Sequence, residues 1–174
     1  PPMSEYLSEI PTDALIDIVT RAGAAIMEIY ESDFEVQNKA DESPLTQADL
    51  AAHEIIVAGL QKISPKIPII SEEAVPAEYA VRKQWPCYWL VDPLDGTKEF
   101  VNRNGEFTVN IALIENGVAV YGIVGVPVQA RIYIGDVSKG TAWRIENGES
   151  KVIAGRKMVA GQENLVVVAS RSHG

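Results

Sequence analysis

Apolar residues recur every three or four positions between Thr12 and Glu31, at Leu15, Ile18, Val19, Ala22, Ile26 and Ile29. This spacing predicts a helix, and Pro11 suits its start. A polar linker, NKADESP, precedes a second predicted helix from Thr46 to about Ile63, with Leu50, Ile56, Val57 and Leu60 on one face. Thr46 reads as its N-cap and Asp49 as its N3 residue. The period then changes. KIPII and YWLV are short apolar runs, and FTVNIALI, VAVYGIVGV and RIYIGDV are rich in β-branched and aromatic residues, so all five are predicted strands.

Asn-Gly follows a strand-like run twice, at Asn116-Gly117 and Asn147-Gly148, which signals tight hairpins and an antiparallel meander from about Phe107 to Val152. Helices followed by consecutive antiparallel strands predict an α+β fold, with two helices packed on one face of an antiparallel sheet. LVVVAS, residues 165–170, reads as a further buried strand. The expected division is an N-terminal α+β domain over residues 1–160, with the start of a second, α/β domain over 161–174.

The chain has 174 residues, 47% of them hydrophobic and 22% charged, as a folded globular protein requires. Its formal net charge of −9 repels phosphate backbones and anionic lipid, so neither a nucleic-acid polymer nor a membrane surface is an expected partner. The single cysteine, Cys87, lies in an apolar run and reads as core rather than as half of a disulfide. The start, PPMSEYLSEIP, lacks the basic and apolar regions of a signal peptide, so the sequence reads as cytoplasmic.

Carboxylates stand at the edges of the predicted elements: Asp41 in the linker, Asp49 near a helix start, Glu72 and Glu73 after PII, and Asp92 and Asp95 after WLV. Converging like charges must be paired or bind cations. Hard divalent cations such as Mg²⁺ take oxygen ligands, and the turn DPLDGT offers two carboxylates, backbone carbonyls and a hydroxyl. The residues alone also allow plainer roles. PLDG can be an ordinary turn, Asp49 a capping-box acid, Glu72 and Glu73 a solvated pair, and Asp41 a linker charge.

DPLDGT after an apolar strand, with Ser-Glu-Glu upstream, resembles the inositol monophosphatase superfamily of Mg²⁺-dependent, lithium-sensitive phosphatases. The continuation Lys98-Glu99-Phe100 and the linker KADESPLTQAD, residues 39–49, look like its 3′(2′),5′-bisphosphate nucleotidase branch. The resemblance implies half of a layered αβαβα fold. It also implies hydrolysis of the 3′-phosphate of 3′-phosphoadenosine 5′-phosphate, and of its 5′-phosphosulfate relative, in sulfur metabolism. Carried over by position, Glu72, Asp92 and Asp95 become metal ligands through their carboxylates, and Leu94 through its carbonyl. Asp49 and Thr97 become the hydrogen-bonded pair that orients and deprotonates the attacking water.

Gly96 and Thr97 would offer backbone N–H groups to the phosphate, with Glu72, Leu94 and Asp95 also beside it. Ser170 and His173 become candidate nucleotide contacts. The family continues for roughly another hundred residues, a typical domain's worth, and supplies one more aspartate ligand from there. The expectation is therefore an N-terminal portion with an incomplete metal site, and a homodimer is left open.

Three rivals remain. An inositol or sugar phosphatase of the same superfamily would change only the alcohol. An acidic, metal-binding interaction domain would lack catalysis. A haloacid-dehalogenase-like phosphatase fits poorly, because its nucleophile lies two residues before the second aspartate, whereas Asp92 and Asp95 are three apart.

Overall fold

The computed structural model describes residues 6, 11–32, 43–157, 159 and 161. Two long helices, α1 (Thr12–Tyr30) and α2 (Pro44–Ile63), precede β1 (Ile69–Ser71), a short α3 (Tyr79–Arg82), β2 (Cys87–Asp95) and α4 (Thr97–Val101). The strands β3 (Thr108–Glu115), β4 (Val118–Val126), β5 (Arg131–Asp136), β6 (Thr141–Glu146) and β7 (Glu149–Ile153) follow. Among the described residues the strands form one seven-stranded sheet in sequence order. Every neighbouring pair is antiparallel except β1 and β2, which run parallel. The α+β reading holds, with this one parallel edge added to the expected antiparallel sheet. The predicted strand 165–170, Asp41, and the contacts Ser170 and His173 lie outside the described residues.

The sheet has one buried face because side chains alternate along each strand. Val91, Ile111, Ile123 and Ile134 are register partners across β2 to β5 and form an apolar row, all of them buried. The buried face of α1, Leu15, Ile18, Val19, Ala22 and Ile26, packs on α2, β3 and β4, and α2 packs on β2. The buried line of α2 is Ala48, Ala52, Ile56 and Leu60, whereas Leu50 and Val57 are only half-buried. Small side chains let the two helices approach closely. At Gly59 a Cβ would lie 2.5 Å from Ile18 Cγ1. Cys87 is in the core, as expected.

Both Asn-Gly turns have the positive φ that tight hairpins need, 50° at Asn116 and 52° at Asn147. The start of α2 differs from the expectation. Ser43, not Thr46, is the N-cap: its Oγ accepts the Thr46 N–H at 3.2 Å, and Pro44 occupies the first helical position. Proline there leaves no unpaired N–H, so Ser-Pro starts the helix earlier than an apolar count suggests. Asp49 is consequently the sixth residue of the helix, not its N3, and the capping role is removed.

Candidate active site

Strand β2 carries the first two carboxylates. In a regular strand, residues three apart face opposite sides of the sheet. Here the register against β3 slips, with Asp92 opposite Asn110 but Asp95 opposite Thr108, so three steps on β2 match two on β3. The extra residue of this bulge turns Asp95 back to the side of Asp92, and Pro93 fits it because it has no ladder N–H to lose. Leu94 is pushed into the core. Asn110, the amide within FTVNIALI, donates from Nδ2 to Asp95 Oδ2 at 3.3 Å.

After the bulge the chain must reverse tightly. Gly96 has φ 101°, and a Cβ there would lie 3.0 Å from Glu106 O and 3.1 Å from Phe107 Cα, so only glycine fits. Thr97 then opens α4, whose first intrahelical bond is Phe100 N–H to Gly96 O at 2.9 Å. Behind α4, Phe100 packs against Phe107 and Tyr30, with ring centroids 4.9 to 5.3 Å apart. Each such pair contributes about 1 kcal/mol beyond its burial, which fixes α4 against α1 and the start of β3.

The other carboxylates come from α2 and from the end of β1. The Glu72 N–H donates to Val91 O at 3.1 Å, so Glu72 leaves β1 beside Asp92. Burial first, then the negative charges of Glu72 and Asp95, push the Asp92 carboxyl up to about 6. Asp49 is pushed up to about 7, by burial first and then by Glu73, Asp92 and Glu72. The fold thus brings Asp49 within electrostatic range of Glu72, Glu73 and Asp92, and Asp92 within range of Glu72 and Asp95. Glu73, which the sequence offers only as half of a possible solvated pair, is the charge that acts most strongly on Asp49.

Asp49 Oδ1 and Asp92 Oδ1 are buried without a hydrogen-bond partner. An orphaned buried carboxylate oxygen is costly unless a cation or proton meets it. Among the described residues, no three His, Cys, Asp or Glu side chains are gathered closely enough to hold a metal ion as they stand. The all-oxygen donor set and the two orphaned oxygens fit a hard divalent cation.

The raised carboxyls have a consequence for stability. Unfolded aspartates titrate near 4, so between about 4 and 7 the folded state binds more protons than the unfolded one. The contribution of these two carboxyls to stability is therefore greatest below about 4 and is lost as pH rises through about 6 and 7. In chelator, the melting temperature of the chain is expected to drop by at least about 3 °C from pH 5 to pH 8. The drop should largely disappear in a double variant, Asp49→Asn with Asp92→Asn. A melting temperature that holds or rises over that range contradicts the electrostatic picture.

Among the described residues, no helix is long and apolar enough to cross a membrane. Residues 9–173 match the model of the inositol monophosphatase family. The 3′(2′),5′-bisphosphate nucleotidase CysQ of Shigella flexneri is 47% identical over 163 residues, which cover 92% of this chain and 63% of that protein. The same nucleotidase of Buchnera aphidicola is 44% identical over 164 residues, covering 92% of this chain and 59% of that protein. Among solved structures, CysQ from Bacteroides thetaiotaomicron superposes with a TM-score of 0.69 at 49% identity, over 78% of this chain and 48% of that one. An inositol monophosphatase from Zymomonas mobilis gives 0.67 at 28% identity, over 90% and 56%. The chain therefore spans about three-fifths of the length of the curated relatives it matches, from 59% to 63% for these two.

Proposed function

Because the chain belongs to the inositol monophosphatase family, we propose that the whole protein is a Mg²⁺-dependent phosphomonoesterase that removes the 3′-phosphate of 3′-phosphoadenosine 5′-phosphate. The products are AMP and phosphate, and the 5′-phosphosulfate analogue is a second substrate. One observation supports the reading: the bulge in β2 turns Asp95 to the side of Asp92, whose carboxyl lies within electrostatic range of Glu72 and Asp49. The likeness to curated nucleotidases favours the nucleotide over an inositol or sugar phosphate.

Glu72, Asp92 and Asp95 would hold Mg²⁺ through their carboxylates and Leu94 through its carbonyl. When bound, the cation supplies Lewis acidity that makes water more acidic and offsets charge on the phosphate. Asp49 Oδ1, buried and unpartnered, has an acceptor site to spare for a proton of the attacking water. Thr97, at the head of α4, is assigned to orient that water. The N–H groups of Gly96 and Thr97 have no acceptor within α4 and can donate to phosphate oxygens. As the water oxygen bonds to phosphorus, the bond to the 3′ oxygen breaks and that oxygen takes up a proton. Ser170 and His173 are assigned to the nucleotide by resemblance alone.

The test is phosphate release from 3′-phosphoadenosine 5′-phosphate by the whole protein. Release should require Mg²⁺, stop in chelator and be inhibited by millimolar Li⁺. Faster hydrolysis of inositol monophosphate would favour the sugar-phosphatase reading, and hydrolysis of neither would favour a non-catalytic metal-binding domain.

A further inference from the structure

A pair of polar side chains outside the carboxylate set ties together the two segments that carry it. His53 Nδ1 and Ser71 Oγ lie 2.8 Å apart, joining α2 to the end of β1 across 18 positions of sequence. His53 is one helical turn beyond Asp49 on α2. Ser71 directly precedes Glu72, and its carbonyl accepts the Ala74 N–H at 3.2 Å, closing the turn that bears Glu72 and Glu73. At 4% exposure, Ser71 is too enclosed to attack a substrate, so its hydroxyl serves as a link.

Packing is incomplete on one side of this junction. His53 and Ser71 line an opening of about 390 Å³, together with Gln61, Lys66, Pro68 and Ala74. Side chains on the wall of an opening lack partner atoms on one side and are weakly held by dispersion. A hydrogen bond is then the directional contact that sets α2 against β1 at this point. Resting on the phosphatase reading above, we propose that the His53 and Ser71 pair is a positioning device that sets the separation of Asp49 from Glu72 and Glu73, and through it the affinity for the cation.

The experiment is calorimetric titration of the metal-free whole protein with Mg²⁺, alongside melting curves in chelator. Partners that orient metal ligands typically change affinity 10- to 100-fold when lost. Ser71→Ala and His53→Phe are each expected to raise the Mg²⁺ Kd about tenfold, and the double variant no further, because both remove the same contact. His53→Asn, which keeps a polar atom near the place of Nδ1, should recover most of the affinity. A purely structural role would lower the melting temperature in chelator and leave Kd unchanged, which would overturn the proposal. If the unsubstituted protein binds no Mg²⁺, the phosphatase reading falls and takes this inference with it. Unchanged affinity in the variants, with normal binding by the parent, overturns the inference alone.

Discussion

Asp92→Asn is expected to lower Mg²⁺-dependent phosphate release by the whole protein about 10³-fold or more, roughly 4 kcal/mol of transition-state stabilisation. The same change should raise the melting temperature of the metal-free protein. Both effects follow from one geometry. Asp92 Oδ1 is buried without a partner, and the carboxyl is held up at about 6 by burial and by Glu72 and Asp95. An amide of nearly the same shape removes the negative charge, and with it the proposed cation ligand and the repulsion. Its N–H can donate to Glu72, which already stands within hydrogen-bonding reach. Gain of stability with loss of activity is the pattern of a site whose charges are kept for function. Steady-state release at saturating Mg²⁺ and a thermal melt in chelator together decide it. Undiminished release would remove Asp92 from the site, and a lower melting temperature would show that its carboxylate serves structure.

The fold was largely legible because its signals are local. Helical spacing marked α1, and two Asn-Gly pairs marked two of the hairpins with the positive φ they require. The start of α2 was misread because the helix begins before its apolar pattern does: the Ser43 hydroxyl and Pro44 satisfy the first turn. The parallel pairing of β1 with β2 is non-local, and three-residue β1 carries no periodicity to reveal it. Within the site, Asp92, Asp95 and Glu72 could be chosen by resemblance. Why two aspartates three apart can act together was invisible, because it depends on a register slip against Asn110 and Thr108. His53 and Ser71 gave no signal either, since nothing in their spacing says that α2 passes the end of β1.

The largest loss of stability is expected at Trp89. Its indole is fully buried near the start of β2, and its Nε1 donates to Ser64 Oγ at 2.8 Å. Ser64 is the C-cap of α2, where its own N–H and hydroxyl both reach Leu60 O at 2.9 Å. The Trp89 N–H also holds Pro68 O at 2.8 Å, just before β1. One residue therefore fixes the far end of α2, the entry to β1 and the strand that carries Asp92. Trp89→Ala should cost about 3 to 5 kcal/mol, a large share of the roughly 5 to 15 kcal/mol that holds a domain together. Urea denaturation checks this, and a cost under about 1 kcal/mol would mean that the cavity closes and that Ser64 finds another partner. Trp89→Phe separates the two contributions. It keeps most of the apolar volume but leaves Ser64 without its indole donor, so α2 is freed at one end while the core stays filled. If that variant is nearly as stable as the parent yet binds Mg²⁺ more weakly, the distance between Asp49 and Asp92 is held by the path from Ser64 through Trp89, and not by the core alone.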